Sequence, residues 1–166
     1  MKSILFLSLP ALLLLNGCIF KIDDDYNYKC HKPIYMDYKT LREMPAIEAP
    51  RDIKSAGKIY VWNNTLFVNE PNKGIHVIDI SDKSAPQKLS FIKLPGNIDI
   101  AVKDGYLYAD SFIDLVVLDV HDVHNITRVH REEEVFAYNP RQAIKNHEIY
   151  LCSTDPKKGV VIGYKE

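Results

Sequence analysis

The chain has 166 residues, with 21 Lys and Arg against 22 Asp and Glu, which leaves room for one ordinary domain. A formal net charge of -1 provides no basic field that would attract nucleic acid, so no nucleic-acid partner is expected. Ten Tyr and many Val and Ile are interrupted by seven Gly and nine Pro, and no long amphipathic helical pattern occurs. This composition indicates short strands and turns, and therefore an all-β fold.

Residues 1–17 have the composition of an export signal. A positive end at Lys2 precedes an apolar run of about twelve residues, Ile4 to Leu15, which is shorter than the roughly 20 residues needed to span a bilayer. The LNGC sequence at Leu15–Cys18 resembles the lipobox of a bacterial lipoprotein. The resemblance implies cleavage behind Gly17 and acylation of Cys18, for example with palmitate. A plain signal peptide with an incidental cysteine is the alternative.

Residues 18–33 are then predicted to be the lipidated cysteine and a tether. Two or more acyl chains hold a protein stably to a bilayer, so the membrane becomes a partner through the lipid anchor. Ile19 stands where many inner-membrane lipoproteins have Asp, which favours the outer membrane. The KIDDD stretch, Lys21–Asp25, resembles some surface-export signals but also reads as a solvated tether. The periplasmic face and the cell surface therefore both stay open.

Two further cysteines, Cys30 and Cys152, remain beyond the predicted lipidation site. Disulfides persist in the compartments that exported proteins reach. A bond between the two would close a long loop and restrict the unfolded chain. Sequence does not give their distance, so a disulfide and two independent thiols are both possible.

Residues 34–57 are predicted to be a lead-in that packs on the domain and is not a domain of its own. Tyr38 to Met44 can form one or two helical turns, which end before Pro45 because Pro disfavours the α conformation in the residue before it. Pro50 and Gly57 then indicate irregular chain.

The rest of the chain repeats itself with a spacing of about 41 to 42 residues. Each unit carries two related runs: NTLFVN (64–69), GYLYAD (105–110) and HEIYLC (147–152), followed by KGIHVIDI (73–80), IDLVVLDV (113–120) and KGVVIGY (158–164). The units are predicted at 58–97, 98–139 and 140–166, with four strands in each of the first two and no fourth strand in the third. A period of about 40 to 45 residues with four short antiparallel strands is typical of a β-propeller blade.

An Asp ends the third strand of the first two units. Asp79 and Asp119 each precede a polar turn, SDKSAP in the first unit and HDVHNI in the second. A short carboxylate at this position can accept hydrogen bonds from the backbone N–H groups of the turn. A structural role is therefore predicted for both.

The sequences GIHVIDISDKSAPQ and DLVVLDVHDVHN resemble LVIVD repeats, which occur in exported bacterial proteins with propeller-like domains. The resemblance covers about residues 58–164 and implies a non-catalytic binding or scaffold surface for a protein or a glycan, with no cofactor. Two loops, EPNKG and DSFID, are equivalent connections at one end of the blades. Their candidate binding residues are Glu70, Asn72, Lys73, Asp110, Ser111 and Asp114.

Three other kinds of site compete with structural explanations, and for each the structural one is favoured. The first is a metal cluster of His121, His124 and His130 with Asp119 and Asp122, all in or next to a turn. The second is a Ca²⁺ site formed by Asp99, Asp110 and Asp114. The third is an aromatic ligand surface of Trp62, Phe67, Tyr106 and Tyr108. No metal is expected.

Catalysis has little support in the sequence. The chain has no GxSxG elbow, HExxH motif, Gly-rich phosphate loop or redox CxxC. A Ca-assisted propeller-type hydrolase of the cell envelope is kept as the alternative to a binding module.

Propellers close with about four to eight blades, whereas these units amount to about two and three-quarter blades in an incomplete ring. Val160, Val161 and Ile162 would then lie in a last sheet with no following unit to cover them. The lead-in has too few apolar residues to cover both open faces. Self-association, or a partner that carries further blades, is therefore expected.

Overall fold

A computed structural model describes residues 30–144 and 149–165. The predicted signal peptide, Cys18 and most of the tether lie outside the described residues, as do His147 and Glu148 of the third predicted unit. Within the described part of the chain, no helix has the length and apolar character to cross a membrane. The elements in chain order are β1 (Lys32–Met36), α1 (Tyr38–Leu41), β2 (Ala46–Glu48), β3 (Ile59–Trp62), β4 (Thr65–Glu70), β5 (Gly74–Asp79), β6 (Gln87–Lys93), β7 (Ile100–Lys103), β8 (Tyr106–Ser111), β9 (Asp114–Asp119), β10 (Thr127–Glu132), a 3₁₀ turn (Pro156–Lys158) and β11 (Val160–Lys165).

Two antiparallel sheets form the body of the protein. The first has the order β2-β6-β5-β4-β3 and the second β10-β9-β8-β7. Both share one register, with Thr65 opposite Asp79 in the first sheet and Tyr106 opposite Asp119 in the second. A bulge occurs between β5 and β6 in the first sheet and between β9 and β10 in the second. The prediction of an all-β fold with four-stranded, blade-like units is therefore confirmed.

The two sheets pack face to face, and the alternation of side chains along each strand decides which residues enter the core. In the first sheet Phe67, Ile75 and Val77 are fully buried, and they pack with Leu107 and Val116 of the second sheet. The complete buried cluster is Phe67, Ile75, Val77, Ile92, Leu94, Ile100, Val102, Leu107, Ala109, Val116, Leu118, Val120 and Ile126.

The lead-in is more regular than its sequence suggested. The predicted helical turn is present as α1, where the Asp37 side chain caps the helix by accepting a hydrogen bond from Thr40 N. Strand β2 of the lead-in adds a fifth strand to the first sheet by pairing with β6. Arg51 then lies over the ring of Phe91, with its guanidinium carbon 3.5 Å from the ring centroid, and covers part of the outer face of that sheet.

The third predicted unit differs from the prediction. Among the described residues of 140–166, the strand is β11, which pairs with β1 to form a two-stranded sheet. Strand β1 begins at Lys32, inside the predicted tether, and continues into the lead-in. Near the expected second strand there is a single parallel bridge between His31 and Leu151. Cys30 and Cys152 form a disulfide beside this bridge, with their Cα atoms 4.8 Å apart. A strand from the lead-in thus completes the sheet that sequence assigned to the third repeat alone.

The expectation that Val160 and Val161 lie uncovered is wrong, because both are only 1% exposed. Val160 packs in a second cluster with Leu41 of α1 and with Phe112 and Ile113 of the β8–β9 turn. The lead-in helix and a blade turn therefore cover the sheet. Ile162 is 39% exposed, as expected for an uncovered position.

Candidate functional site

The two candidate loops lie at the same end of the sheets and meet the third sheet there. Asn72 and Lys73 of the β4–β5 turn and Phe112 of the β8–β9 turn line one groove of about 400 Å³. We call it the end groove; its lining residues are Met36, Arg51, Pro71, Asn72, Lys73, Phe91, Lys93, Pro95, Phe112, Ala143 and Ile162. Its walls are mainly apolar, and its three charged residues are all cations.

A buried carboxylate holds two of these cations. Glu70 ends β4 with its side chain 1% exposed; Lys73 Nζ is 2.7 Å from its Oε1, and Arg51 Nη2 is 3.2 Å from its Oε2. His76 Nε2 also lies 3.0 Å from Oε2. Burial raises the pKa of Glu70, but the hydrogen bonds from Lys73 and His76 and the charges of Lys73 and Arg51 outweigh it and lower that pKa to about 2. The carboxylate is therefore ionised.

The charge of the end groove follows from this cluster. Glu70 neutralises one of the two charges of Arg51 and Lys73, so one positive charge remains. Lys93 adds another, since its Nζ is 3.6 Å from Glu48 in a pair whose side chains are 59% and 39% exposed, which is a weak interaction in water. The groove thus presents net positive charge beside apolar rings.

The β4–β5 turn is held in place by bonds to residue 142. Asn72 adopts a left-handed φ of 64°, which Asn tolerates better than most residues. Its Nδ2 donates to the Gln142 carbonyl at 3.2 Å, while Gln142 Nε2 donates to the Gly96 carbonyl at 2.7 Å. Gln142 therefore links the β4–β5 turn, which forms one wall of the groove, to the backbone at Gly96.

Asp110 and Ser111 are engaged inside the fold. Asp110 Oδ1 accepts hydrogen bonds from Ile98 N at 2.7 Å, from Asp99 N at 2.9 Å and from Asn97 Nδ2 at 2.9 Å. Burial is the main cause that raises the pKa of Asp110, although these bonds oppose it. Ser111 Oγ donates to the Pro95 carbonyl at 2.9 Å. These two side chains fix the start of the second blade.

Asp114 is also internal and fully buried. Arg131 Nη1 is 2.9 Å and Arg42 Nε 3.1 Å from its Oδ2, and Glu134 N donates to Oδ1 at 3.0 Å. Burial opposes the charged form, but the hydrogen bonds from Arg42, Glu134 and Arg131 keep the pKa of Asp114 below its ordinary value. Asp114 thereby links the lead-in to the β9–β10 hairpin.

The predicted turn roles of Asp79 and Asp119 are confirmed. Asp79 Oδ1 accepts from Ser81 N at 2.8 Å, and Asp119 Oδ1 accepts from His121 N at 3.0 Å. Hydrogen bonds from Ser81 lower the pKa of Asp79, and those from His121 lower the pKa of Asp119.

The residues considered as metal ligands are distributed over turns and strand ends. His121 Nδ1 lies 2.7 Å from Asp119, and His130 Nε2 lies 2.9 Å from Glu132. Across residues 30–144 and 149–165, no three His, Cys, Asp or Glu side chains are grouped as a metal site requires.

The four aromatic candidates are separated. Phe67 is in the core, whereas Trp62 and Tyr106 both contact the His121 ring in T-shaped geometry, with centroids 6.2 and 5.1 Å away. Tyr108 lies on a partly exposed sheet face.

Sequence reasoning missed Arg51, Phe91 and Ile162 as groove residues. Arg51 lies in irregular chain, and Phe91 and Ile162 are ordinary strand residues. No motif separates such residues from others of the same type. Their position in the groove depends on how the lead-in and the third sheet pack on the blades.

Comparison with known proteins adds one finding. Residues 54–91 and 97–127 match the family model described as the LVIVD repeat. No curated protein and no solved structure matches the chain. The first matched segment contains β3 to β5 and ends within β6 at Phe91, and the second contains β7 to β9 and ends at Thr127, the first residue of β10. The matches support the LVIVD repeat family, and the chain forms a repeat-based, β-propeller-like module.

Proposed function

We propose that the protein is a membrane-anchored, non-catalytic binding module. Acylation at Cys18 holds it at the outer membrane, and the propeller-like sheets present the end groove to a partner. The observation that carries the proposal is the groove itself, an apolar cleft with net positive charge at the end where both candidate loops meet. The neighbouring carboxylates Glu70, Asp110 and Asp114 are tied into internal bonds, so binding is favoured over catalysis.

The lining of the groove indicates the chemistry of its ligand. Phe91, Phe112 and Ile162 offer apolar contact, and Lys73 and Lys93 offer charge. A ligand that fits has a carboxylate next to an apolar group. An acidic segment of a protein, with an apolar side chain beside Asp or Glu, meets both conditions. A glycan with uronic acids provides the carboxylate but not the apolar group, because its surface is mostly hydroxyl.

The groove is tested with a matched pair of variants. Ile162→Glu places a negative charge in the groove, and Ile98→Glu makes the same change at a residue with the same exposure of 39% outside the groove lining. Binding to arrays of acidic peptides, to their amidated counterparts and to uronic-acid oligosaccharides is measured at low and high salt. We expect Ile162→Glu to reduce acidic-peptide binding at least tenfold, Ile98→Glu to leave it unchanged, and salt to weaken it.

Two results would overturn the peptide proposal. The first is equal loss in both variants. The second is a preference for the oligosaccharides that both variants retain.

The anchor is tested separately. Cys18→Ser should abolish acyl labelling and move the protein from the outer-membrane fraction to the soluble or precursor fraction. Unchanged partition with unchanged acyl labelling would refute lipidation at Cys18 and leave the groove proposal intact.

A further inference from the structure

One face of the second sheet remains open in the described part of the chain. The register of strands β7 to β9 places Ala101 opposite Tyr108 and Tyr108 opposite Val117 on this face. Tyr108, Leu115 and Val117 are partly exposed there, while the side chains between them are buried against the first sheet. We call this surface, centred on these three residues, the open face.

The repeat shows what an equivalent surface does elsewhere in the molecule. The first sheet has the same strand order and register, so each residue of the open face has a counterpart in it. These counterparts are all 0% exposed, because they pack on the second sheet. The pairs are Tyr108 with Phe67, Leu115 with Ile75, and Val117 with Val77.

The surface that would pack against the open face is also present in the chain, and part of it is exposed. On the second sheet, the side chains that pack against the first sheet include Ile100 and Val102, which are 7% and 4% exposed. Their counterparts in the first sheet, Ile59 and Val61, are 62% and 54% exposed. The chain therefore presents much of its own sheet-to-sheet interface a second time, on opposite sides of the molecule. The open face differs at β10, where His130 and Glu132 stand beside Val117 and Leu115 in place of the Ser90 and Ile92 of the first sheet.

The lead-in leaves only part of this second surface free. Arg51 covers Phe91, and Asp52 binds Lys88 with Oδ1 2.6 Å from Nζ, so the lead-in lies over the β6 side. The β3 side, with Ile59 and Val61, stays exposed. A partner sheet can therefore reach this face along β3.

We propose that a second copy of the chain binds the open face through the exposed side of its β3. The contact joins unlike faces, head to tail, as the interface between the two sheets of one chain does. Head-to-tail contacts form rings or open chains. Two copies joined in a ring bring together four blade-like sheets, the smallest number with which propellers close. The inference does not depend on the ligand of the end groove.

A complementation experiment tests this arrangement. Val61→Lys and Tyr108→Lys each place a charge on one of the two faces, and Ile47→Lys, at a 46% exposed apolar residue of β2, is the control. The full chain is purified from membranes in a non-ionic detergent, and its association is measured by sedimentation velocity. We expect wild type and Ile47→Lys to associate, and each of the two face variants to associate at least tenfold more weakly.

An equimolar mixture of Val61→Lys and Tyr108→Lys should restore a heterodimer, because one contact between unlike faces remains intact. Failure of the mixture to associate, or association of wild type that neither variant weakens, would overturn the proposal; the latter is the result expected if copies merely share a detergent micelle. A monomeric wild type at about 100 µM would overturn it as well.

A second measurement does not depend on variant stability. A photoreactive phenylalanine analogue at position 108 of the otherwise native chain is expected to cross-link to residues 59–62 of another copy. Cross-links from position 108 to position 108, or only within one chain, would contradict the head-to-tail contact. Circular dichroism and melting temperature confirm that each variant is folded.

Discussion

The ion cluster below the end groove makes a specific prediction about stability. Glu70→Gln keeps the shape of the side chain but removes the charge that pairs with Lys73 and Arg51 at 2.7 and 3.2 Å. Lowering the pKa of Glu70 from 4.5 to about 2 corresponds to roughly 3 kcal/mol, at about 1.4 kcal/mol per unit. The Arg51 and Lys73 side chains are 39% and 47% exposed and regain water when the carboxylate is removed, so the expected loss in the free energy of unfolding at pH 7 is smaller, about 2 to 3 kcal/mol.

The matched control is Glu48→Gln. Its carboxylate is 3.6 Å from Lys93, and both side chains are substantially exposed, so the expected loss is below about 1 kcal/mol. Unfolding in urea is the suitable assay, because urea is uncharged and leaves the ionic strength unchanged. The slope m of the free energy of unfolding against urea concentration reports whether the unfolded state has changed.

The pH dependence separates the charge of Glu70 from its packing. A carboxylate whose pKa is lowered in the folded state contributes its full stability above pH 4.5 and loses it as the pH falls through about 2. The difference between wild type and Glu70→Gln should therefore be constant from pH 7 to about 5 and shrink between about pH 4.5 and 2. Equal losses for Glu70→Gln and Glu48→Gln at pH 7, with a difference that does not change with pH, would refute this reasoning.

Three further outcomes are expected. Cys30→Ser, Cys152→Ser and the double variant should lose the same free energy of unfolding, about 3 to 5 kcal/mol, and a larger loss in the double variant would argue against the disulfide. Asp114→Asn leaves two arginines without their buried partner, so urea unfolding should show a loss of about 3 kcal/mol or more, and an unchanged midpoint would contradict this. Asp79→Ala should lower the melting temperature slightly because Ser81 N loses its acceptor, and should leave peptide binding to the end groove unchanged; loss of binding at unchanged melting temperature would make Asp79 a functional residue.

The blades could be predicted from sequence because their causes repeat. Alternate residues of a strand point to opposite faces of its sheet, and the same strand order and register return one period later, so Tyr108 of β8 occupies the position that Phe67 has in β4. The turn carboxylates were predictable for the same reason, since Asp79 acts on an amide only two residues away. Local chemistry of this kind depends little on the rest of the fold.

The third sheet and the end groove have no such local cause. Strand β1 is short, and its partner β11 lies at the other end of the described chain, so no spacing in the sequence links them. Arg51 lines the groove because the irregular chain after β2 crosses the first sheet. The six loop residues proposed from sequence divide accordingly: Asn72 and Lys73 line the groove, whereas Asp110, Ser111 and Asp114 hold the fold and Glu70 holds the groove cations.

The pairing of β1 with β11 also determines the order in which the molecule can fold. Each hairpin of the two larger sheets joins strands that are neighbours in sequence, so the loops that must close are short and cost little entropy. The β1–β11 sheet joins Lys32 to Lys165, and it can form only after β11 has been synthesised. Because contacts between distant residues form slowly, the two blades are expected to gain amide protection first. Strand β1 should remain open to exchange until β11 arrives, and oxidation of Cys30 and Cys152 then becomes the last step of folding.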